Sequence, residues 1–291
     1  MKILISGEKG YIGKSFESWA RNWGEKYSVE YISLRSEEWK NKSLAEYNII
    51  IHAAAIVHQK ETSEMEALYS KINRDFTIEF ASKAKYSGVQ QFIFMSSMSV
   101  YGLEGNVGKE VVIDENTPCH PKTFYGKSKL QAEKGLKELT DENFKVAIIR
   151  SPMIYGPSCP GNYRKLKKFV MKSPIFPLIE NRRSMIFIDN LSEFIRLLID
   201  YGGSGLFFPQ NRYYVNTADL AKTIAEENSK KIHLSKSLAR IVKWVGYRTS
   251  IVQKLFGNLV IDSRLSDYRG LDYCVTDFKR SISLSERKQE E

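Results

Sequence analysis

Tyr125 and Lys129 stand four residues apart in Tyr125-Gly126-Lys127-Ser128-Lys129. On a helix, positions i and i+4 share a face, so the phenol and the ammonium point the same way. A free tyrosine titrates at about pH 10, too high for proton traffic near neutrality. A lysine cation one turn away favours the phenolate, so Lys129 is expected to lower the Tyr125 pKa and fit it for acid–base work. The same spacing occurs on plain solvated helix faces, and it gains meaning only from its company. Ser97 lies in Phe94-Met95-Ser96-Ser97-Met98-Ser99-Val100-Tyr101-Gly102, where an apolar run gives way to hydroxyls. A hydroxyl at a strand's carboxyl end can bond a substrate oxygen and stabilise charge as a hydride leaves or arrives. A serine-rich turn is the plainer reading of that stretch alone. Gly7-Glu8-Lys9-Gly10-Tyr11-Ile12-Gly13 follows the first apolar run. Glycines there permit a tight turn and let a helix N-terminus approach a pyrophosphate.

These groups need a scaffold, and the hydrophobic pattern supplies one. Short apolar runs alternate with longer amphipathic ones through the first half, as in a parallel sheet flanked by helices. Strands are expected at Lys2–Ser6, Val29–Leu34, Ile49–Ala53, Gln91–Met95 and Lys145–Arg150. Helices are expected at Ile12–Trp23, Glu64–Tyr86 and Phe124–Leu139. Glu37–Glu46 is short and polar and reads as no clear strand. After Pro152 the alternation breaks among Pro152, Pro157, Pro160, Pro174 and Pro177. The fold class is therefore α/β, with a nucleotide-binding domain over residues 1–151 and a smaller lobe over 152–291, from which 185–199 returns to the first.

The chain of 291 residues is 42% hydrophobic and 27% charged, which excludes disordered, collagen-like and coiled-coil classes. Its longest apolar run, Ile49–Val57, is interrupted by His52 and falls short of the roughly 18 residues a membrane span needs. Met1 leads straight into a strand-like run, so no signal peptide is expected. The cysteines Cys119, Cys159 and Cys274 are odd in number and widely spaced, which fits a reducing, cytoplasmic setting without disulfides. The four histidines have no metal-ligand spacing, and no metal is expected. His52 reads as a packed strand histidine and His58 as a loop residue. Forty-four Lys and Arg against 34 Asp and Glu leave a net charge of +10. An anionic partner follows, but no nucleic-acid-binding motif accompanies the charge. Seven basic residues and no acidic one lie between Lys230 and Ile261. Within that stretch, residues 234–256 combine cations with Leu234, Leu238, Ile241, Val242, Trp244, Val245 and Leu255. Such a segment can make peripheral contact with an anionic membrane, and a small lobe closing over a ligand is the plainer reading.

Taken together, the order of these motifs resembles the extended short-chain dehydrogenase/reductase family, in its NAD-dependent epimerase/dehydratase group. The further matching elements are His52-Ala53-Ala54-Ala55, Asn73, Arg150-Ser151-Pro152-Met153-Ile154-Tyr155-Gly156-Pro157 and the stretch from Asn181 through Arg183 to Asn190. The resemblance implies a Rossmann-type doubly wound sheet with a C-terminal substrate-binding lobe. It implies a catalytic trio of Ser97, Tyr125 and Lys129, with Tyr125 as acid/base and Lys129 also a ribose ligand. Gly7, Gly10, Tyr11, Ile12 and Gly13 would hold the pyrophosphate, and Ala53, Ala54 and Ala55 would line the path from adenosine to ribose. Pro152 would abut the nicotinamide, and Asn73 would pin the serine loop. Ser99, Asn162 and Arg183 fall at substrate-binding positions, where a guanidinium suits a diphosphate.

Departures from the family pattern narrow the expected activity. Dehydratases of the group carry an Asp-Glu pair just after the catalytic hydroxyl, whereas Ser97 is followed by Met98 and Ser99. The second strand ends Ile32-Ser33-Leu34-Arg35-Ser36, without the acid that grips a ribose 2′-hydroxyl. Arg35 can instead hold a 2′-phosphate, so the NAD(P) cofactor leans toward NADP(H), while a surface Arg35 with NAD stays open. Met153 stands where many UDP-hexose 4-epimerases have asparagine. What remains is hydride transfer at C4 of a UDP-hexose or a UDP-4-keto-6-deoxyhexose, by a 4-epimerase or a 4-ketoreductase, toward cell-surface polysaccharide precursors. An epimerase acting on a polyprenyl-diphosphate-linked sugar and a non-catalytic cofactor sensor are the alternatives. Relatives pair through a four-helix interface, so a homodimer through Glu64–Tyr86 and Phe124–Leu139 is expected.

Overall fold

The computed structural model describes residues 1–8, 10–57, 62–246 and 249–287; Lys9, His58 and Arg248 lie outside the described residues. In chain order the helices are α1 (Tyr11–Ala20), α2 (Ser63–Tyr69), α3 (Phe76–Tyr86), α4 (Phe124–Leu139), α5 (Asn162–Lys172), α6 (Ile188–Asp200), α7 (Thr217–Glu227) and α8 (Lys236–Gly246). The chain divides into two compact units. Met1–Gly102, Pro118–Ser151 and Leu191–Pro209 make the first; Leu103–Thr117, Pro152–Asn190 and Gln210–Glu291 make the second.

The first unit is built on a six-stranded parallel sheet of β1 (Lys2–Ser6), β2 (Ser28–Ile32), β3 (Ile49–His52), β4 (Gln91–Ser97), β5 (Lys145–Ser151) and β6 (Gly205–Phe207). Across the sheet the order is β6-β5-β4-β3-β1-β2. Ile3-Leu4-Ile5, Ile49-Ile50-Ile51 and Phe92-Ile93-Phe94 lie buried along neighbouring strands. Such unbroken apolar runs belong to strands covered on both faces, which is why the alternation seen in half-exposed strands is missing. Strand order reverses between β1 and β3, and ligands of open α/β sheets bind beyond the carboxyl ends at such a point.

Local chemistry moves several element ends. The helix expected over Ile12–Trp23 stops at Ala20, because Gly24, at φ +57°, breaks the following turn. The single helix expected over Glu64–Tyr86 is divided by a π-helical turn, Ser70–Asp75, between α2 and α3. The stretch Glu37–Glu46 holds a 3₁₀ turn, Glu37–Lys40, that sinks Trp39 edge-on against Phe80 at 5.4 Å. Trp39 is 2% exposed, so this polar stretch plugs the core with one large ring instead of adding a strand.

The second unit uses short parallel pairs: Met153–Tyr155 with Met185–Phe187, Ile175–Pro177 with His233–Ser235, and Val112–Ile113 with Val260–Ile261. The last pair draws Leu103–Thr117 out of the first unit. The strand and helix expected over 185–199 divide between units, since Met185–Phe187 pairs within the second while residues from Leu191 join the first. Tyr155 stacks on Tyr163 at 5.6 Å and shares a 2.7 Å hydrogen bond with Ser281, tying the chain's last described helical segment to this core. Among the described residues, no helix is long and apolar enough to cross a membrane.

Candidate active site

The loop from β1 to α1 is shaped by its glycines. Gly7 sits at φ +98°, a left-handed conformation that side chains resist, and a Cβ there would meet the Ala54 amide at 3.3 Å. The Gly10 amide donates to the Gly7 carbonyl oxygen at 2.7 Å, closing the turn. A Cβ on Gly13 would lie 2.9 Å from Ile5 Cγ2, so its absence lets α1 pack directly on β1. Tyr11 and Ile12 open α1, which starts without a side-chain cap. An uncapped helix start behind such a turn accommodates an anion. Ala53, Ala54 and Ala55 follow β3 beside this loop, and the Ala54 amide donates to Ser6 Oγ at 3.3 Å. Arg35 follows β2 and is exposed; its own amide donates to Ser33 Oγ at 3.3 Å, and Leu34 turns inward.

Ser97, Tyr125 and Lys129 come together in the first unit. Ser97 ends β4, and its Oγ accepts from the Ser99 amide at 3.2 Å, with the two hydroxyls 3.1 Å apart. Tyr125 is the second residue of α4, whose start is capped by Thr123 Oγ1 accepting from the Gly126 amide. A Cβ on Gly126 would lie 2.5 Å from the Ser99 carbonyl oxygen, so this glycine lets α4 approach the serine turn. Lys129 is fully buried; its Nζ donates to the Met95 carbonyl oxygen at 2.7 Å and stands 4.4 Å above the Phe94 ring.

The electrostatics of the pair differ from the sequence expectation. Burial pushes the Tyr125 phenol up to about 12; a hydrogen bond with Ser97 opposes the rise and Tyr69 adds to it. Lys129 does not draw the phenol down. Desolvation lowers Lys129 itself to about 7, against the pull of Glu133, so its positive charge is only partly present near neutrality. The expected lowering assumed a solvated cation, and this ammonium is shut away from water.

A buried brace holds this helix, and the sequence reading missed it. Tyr125, Lys129 and Glu133 continue one face of α4 at intervals of four. Glu133 receives the Ser96 hydroxyl and the forked guanidinium of Arg150, whose Nη2 approaches to 2.6 Å. Arg150 Nη1 donates to the Tyr101 hydroxyl at 2.8 Å. The brace thus ties α4 to β5 and to both ends of the serine turn. The signal was present, since an acid two turns after Tyr125 on the same face predicts an inward partner.

A second buried network involves His52. Its Nδ1 lies 2.7 Å from Ser6 Oγ and its Nε2 2.9 Å from Thr77 Oγ1. Because Thr77 donates to the Asn73 carbonyl oxygen, its oxygen is left to accept from Nε2–H, which makes Nδ1 the acceptor from Ser6. Burial draws His52 down to about 3, so it stays neutral. Asn73, on the π turn, accepts from the Ile56 amide at 2.9 Å and donates to the Ile56 carbonyl oxygen and to Ser128 Oγ. Asn73 therefore pins the loop after β3 to α4, and not the serine turn as expected. A π turn widens the helix enough to turn such a side chain inward.

In the second unit, Asn162 opens α5 and, with Arg183, lines a small cavity of about 20 Å³ together with Met153, Thr217, Lys254 and Leu255. Arg183 Nη1 donates to the Gly257 carbonyl oxygen at 2.8 Å, and burial draws its guanidinium down to about 10. Lys254 is an additional cation at this cavity that sequence reasoning had left in the basic run. Pro152 leads directly into the Met153–Tyr155 strand.

A six-stranded parallel sheet, a glycine turn at its reversal point and a hydroxyl–phenol–ammonium set on β4 and α4 define a Rossmann-type α/β protein. Residues 3–205 match the NAD dependent epimerase/dehydratase family, and the chain belongs to that family. It is 29% identical to a Vibrio cholerae UDP-glucose 4-epimerase over 89% of this chain and 87% of that protein. It is 27% identical to the N-acetyl-α-D-glucosaminyl-diphospho-ditrans,octacis-undecaprenol 4-epimerase of Escherichia coli O157:H7, over 94% of this chain and 86% of that one. Among solved structures, a Thermus thermophilus UDP-glucose 4-epimerase in complex with NAD superimposes with a TM-score of 0.72 at 18% identity, covering 98% of this chain and 97% of that chain.

Proposed function

We propose that the chain is a nicotinamide-dependent 4-epimerase of a diphosphate-linked hexose. The observation that carries this reading is the convergence of Ser97, Tyr125 and Lys129 at the carboxyl end of β4, with Met98 and Ser99 where a dehydratase has paired carboxylates. Two relatives that align along most of the chain are named as 4-epimerases, which favours this reaction over net reduction.

The residues fit a dinucleotide: the β1–α1 turn is a cradle that a Cβ at Gly7 or Gly10 would obstruct, and α1 starts uncapped. When bound, the nicotinamide cofactor supplies the hydride acceptor and, in its oxidised form, a positive charge. Ser97 donates a hydrogen bond to the C4 oxygen of the sugar and orients it. Beside that positive charge the buried Tyr125 phenol would give up its proton, and the phenolate would take the C4 hydroxyl proton as the alcohol becomes a ketone and return it when the ketone is reduced from the opposite face. Lys129 anchors to Met95 and holds its side of the phenol dry. Asn162 and Arg183, in the second unit, are the proposed diphosphate ligands, since a guanidinium suits paired phosphate oxygens.

Purified protein incubated with UDP-glucose and with N-acetylglucosaminyl-diphospho-undecaprenol, with inverted C4 read by NMR and no net cofactor consumed, tests the reading. Tyr125→Phe is expected to lose turnover by at least about a hundredfold while keeping its fold. Failure of the purified protein to invert C4 in either substrate refutes it. One observation supports a 4-ketoreductase instead: exposed Arg35 ends a β2 edge without an acid, as NADPH use would favour.

A further inference from the structure

The outward face of α8 carries an arrangement that the proposed chemistry does not use. Its inner face is Leu238, Ala239 and Val242, with Ala239 buried. On the opposite side stand Lys236, Arg240, Ile241, Lys243 and Trp244, all exposed. Trp244 is 79% exposed and Ile241 59%, so these two apolar side chains do not close the lobe as the sequence alone allowed.

The charges on this face are unspent. Elsewhere in the basic run, Lys230 is consumed by the carbonyl oxygens of Val170, Met171 and Ser173, and Lys254 pairs with Glu104 at 3.3 Å. Among the described residues, no ion pair is formed by Lys236, Arg240 or Lys243. The sequence from Lys230 to Ile261 contains no acid, so nothing along the helix offsets them. Lys243 also borders an open groove of about 810 Å³ with Tyr213, which is 76% exposed. Within that groove Arg182 is neutralised by Glu110 at 3.0 Å, and Glu180 adds another carboxylate, so the groove is no anion site and the free positive charge belongs to α8 itself.

We propose that the outward face of α8 docks on an anionic lipid surface, with Lys236, Arg240 and Lys243 on the headgroup phosphates and Trp244, Ile241 and Tyr213 at the headgroup boundary. Aromatic side chains with a polar edge settle at that boundary, and clustered cations are drawn to anionic leaflets. With two exposed apolar side chains among the described residues of the helix, the contact is shallow, reversible and chiefly electrostatic. The inference goes beyond the epimerase reading and holds whichever diphosphate carries the sugar.

The test is cosedimentation of the full chain with vesicles of phosphatidylcholine alone and of phosphatidylcholine with phosphatidylglycerol. Binding to the anionic vesicles only is expected, and it should vanish toward 1 M salt, where the Debye length falls to about 3 Å. Lys236→Ala, Arg240→Ala and Lys243→Ala together are expected to lower the partition constant on the order of a hundredfold, at about fivefold per cation. Trp244→Ala is expected to lower it severalfold. The wild-type salt series stands even if the triple variant misfolds. No binding to anionic vesicles, binding indifferent to salt, or a face whose mutation instead dissolves a protein dimer in sedimentation would each overturn the proposal. None of these readouts depends on epimerase activity.

Discussion

Lys129→Met isolates the cost of burying a cation beside the reacting phenol. Lys129 is 1% exposed, and burial lowers its pKa from the ordinary 10.5 to about 7. Below pH 7 the ammonium is charged in both the folded and the unfolded chain, and the folded chain bears the full desolvation cost. Above pH 7 the folded chain sheds the proton while the unfolded chain keeps it until about 10.5. The unfolded state then binds more protons, so stability rises with pH through this window. Between pH 7 and pH 9 the gain works out at about 2 kcal/mol for a single group shifted this far. The assay is urea unfolding of cofactor-stripped protein at pH 7, 8 and 9, for wild type and Lys129→Met side by side. Wild type should climb by about 2 kcal/mol relative to the variant across that range. Tyr125 does not confound the window, because its phenol is pushed up to about 12 and stays protonated. A stability difference between the two proteins that stays constant from pH 7 to 9 would refute the reasoning. It would mean that the carbonyl of Met95, the Phe94 ring and Glu133 already compensate the charge.

Three further outcomes are expected. Gly126→Ala places a methyl group 2.5 Å from the Ser99 carbonyl oxygen, so α4 must back away from the serine turn. Turnover should fall at least about tenfold with the melting temperature lowered only modestly, since a small displacement of a positioned group is costly to rate. Glu133→Gln leaves Arg150 buried without its carboxylate, and a loss of about 3–5 kcal/mol in denaturant unfolding is expected. Arg35→Ala should leave NADH affinity unchanged in fluorescence titration; if Arg35 grips a 2′-phosphate, NADPH affinity drops about tenfold, and equal affinities in both proteins would show NAD use without its help.

Much of the first unit was legible because its signals are local. Uninterrupted apolar runs name buried parallel strands, and the bounds expected for Phe124–Leu139 coincide with those of α4. The glycine spacing and Tyr-x-x-x-Lys likewise carry their geometry within a few residues. Other features were out of reach. The division of Glu64–Tyr86 by a π turn depends on what Asn73 finds to bond, and its partners Ile56 and Ser128 are distant in sequence. Trp39 ends up in the core only because Phe76 and Phe80 on α3 form the edge it meets.

By itself, then, the sequence determined the strand and helix menu and the glycine turn, since each follows from local pattern along the chain, while the hydroxyl, phenol and ammonium were singled out by family resemblance. Only the tertiary structure decided the charge state of Lys129, the direction of the Tyr125 shift, the Glu133–Arg150–Tyr101 brace and which face of α8 meets water. Those depend on desolvation and on partners brought together from far along the chain, and spacing encodes neither.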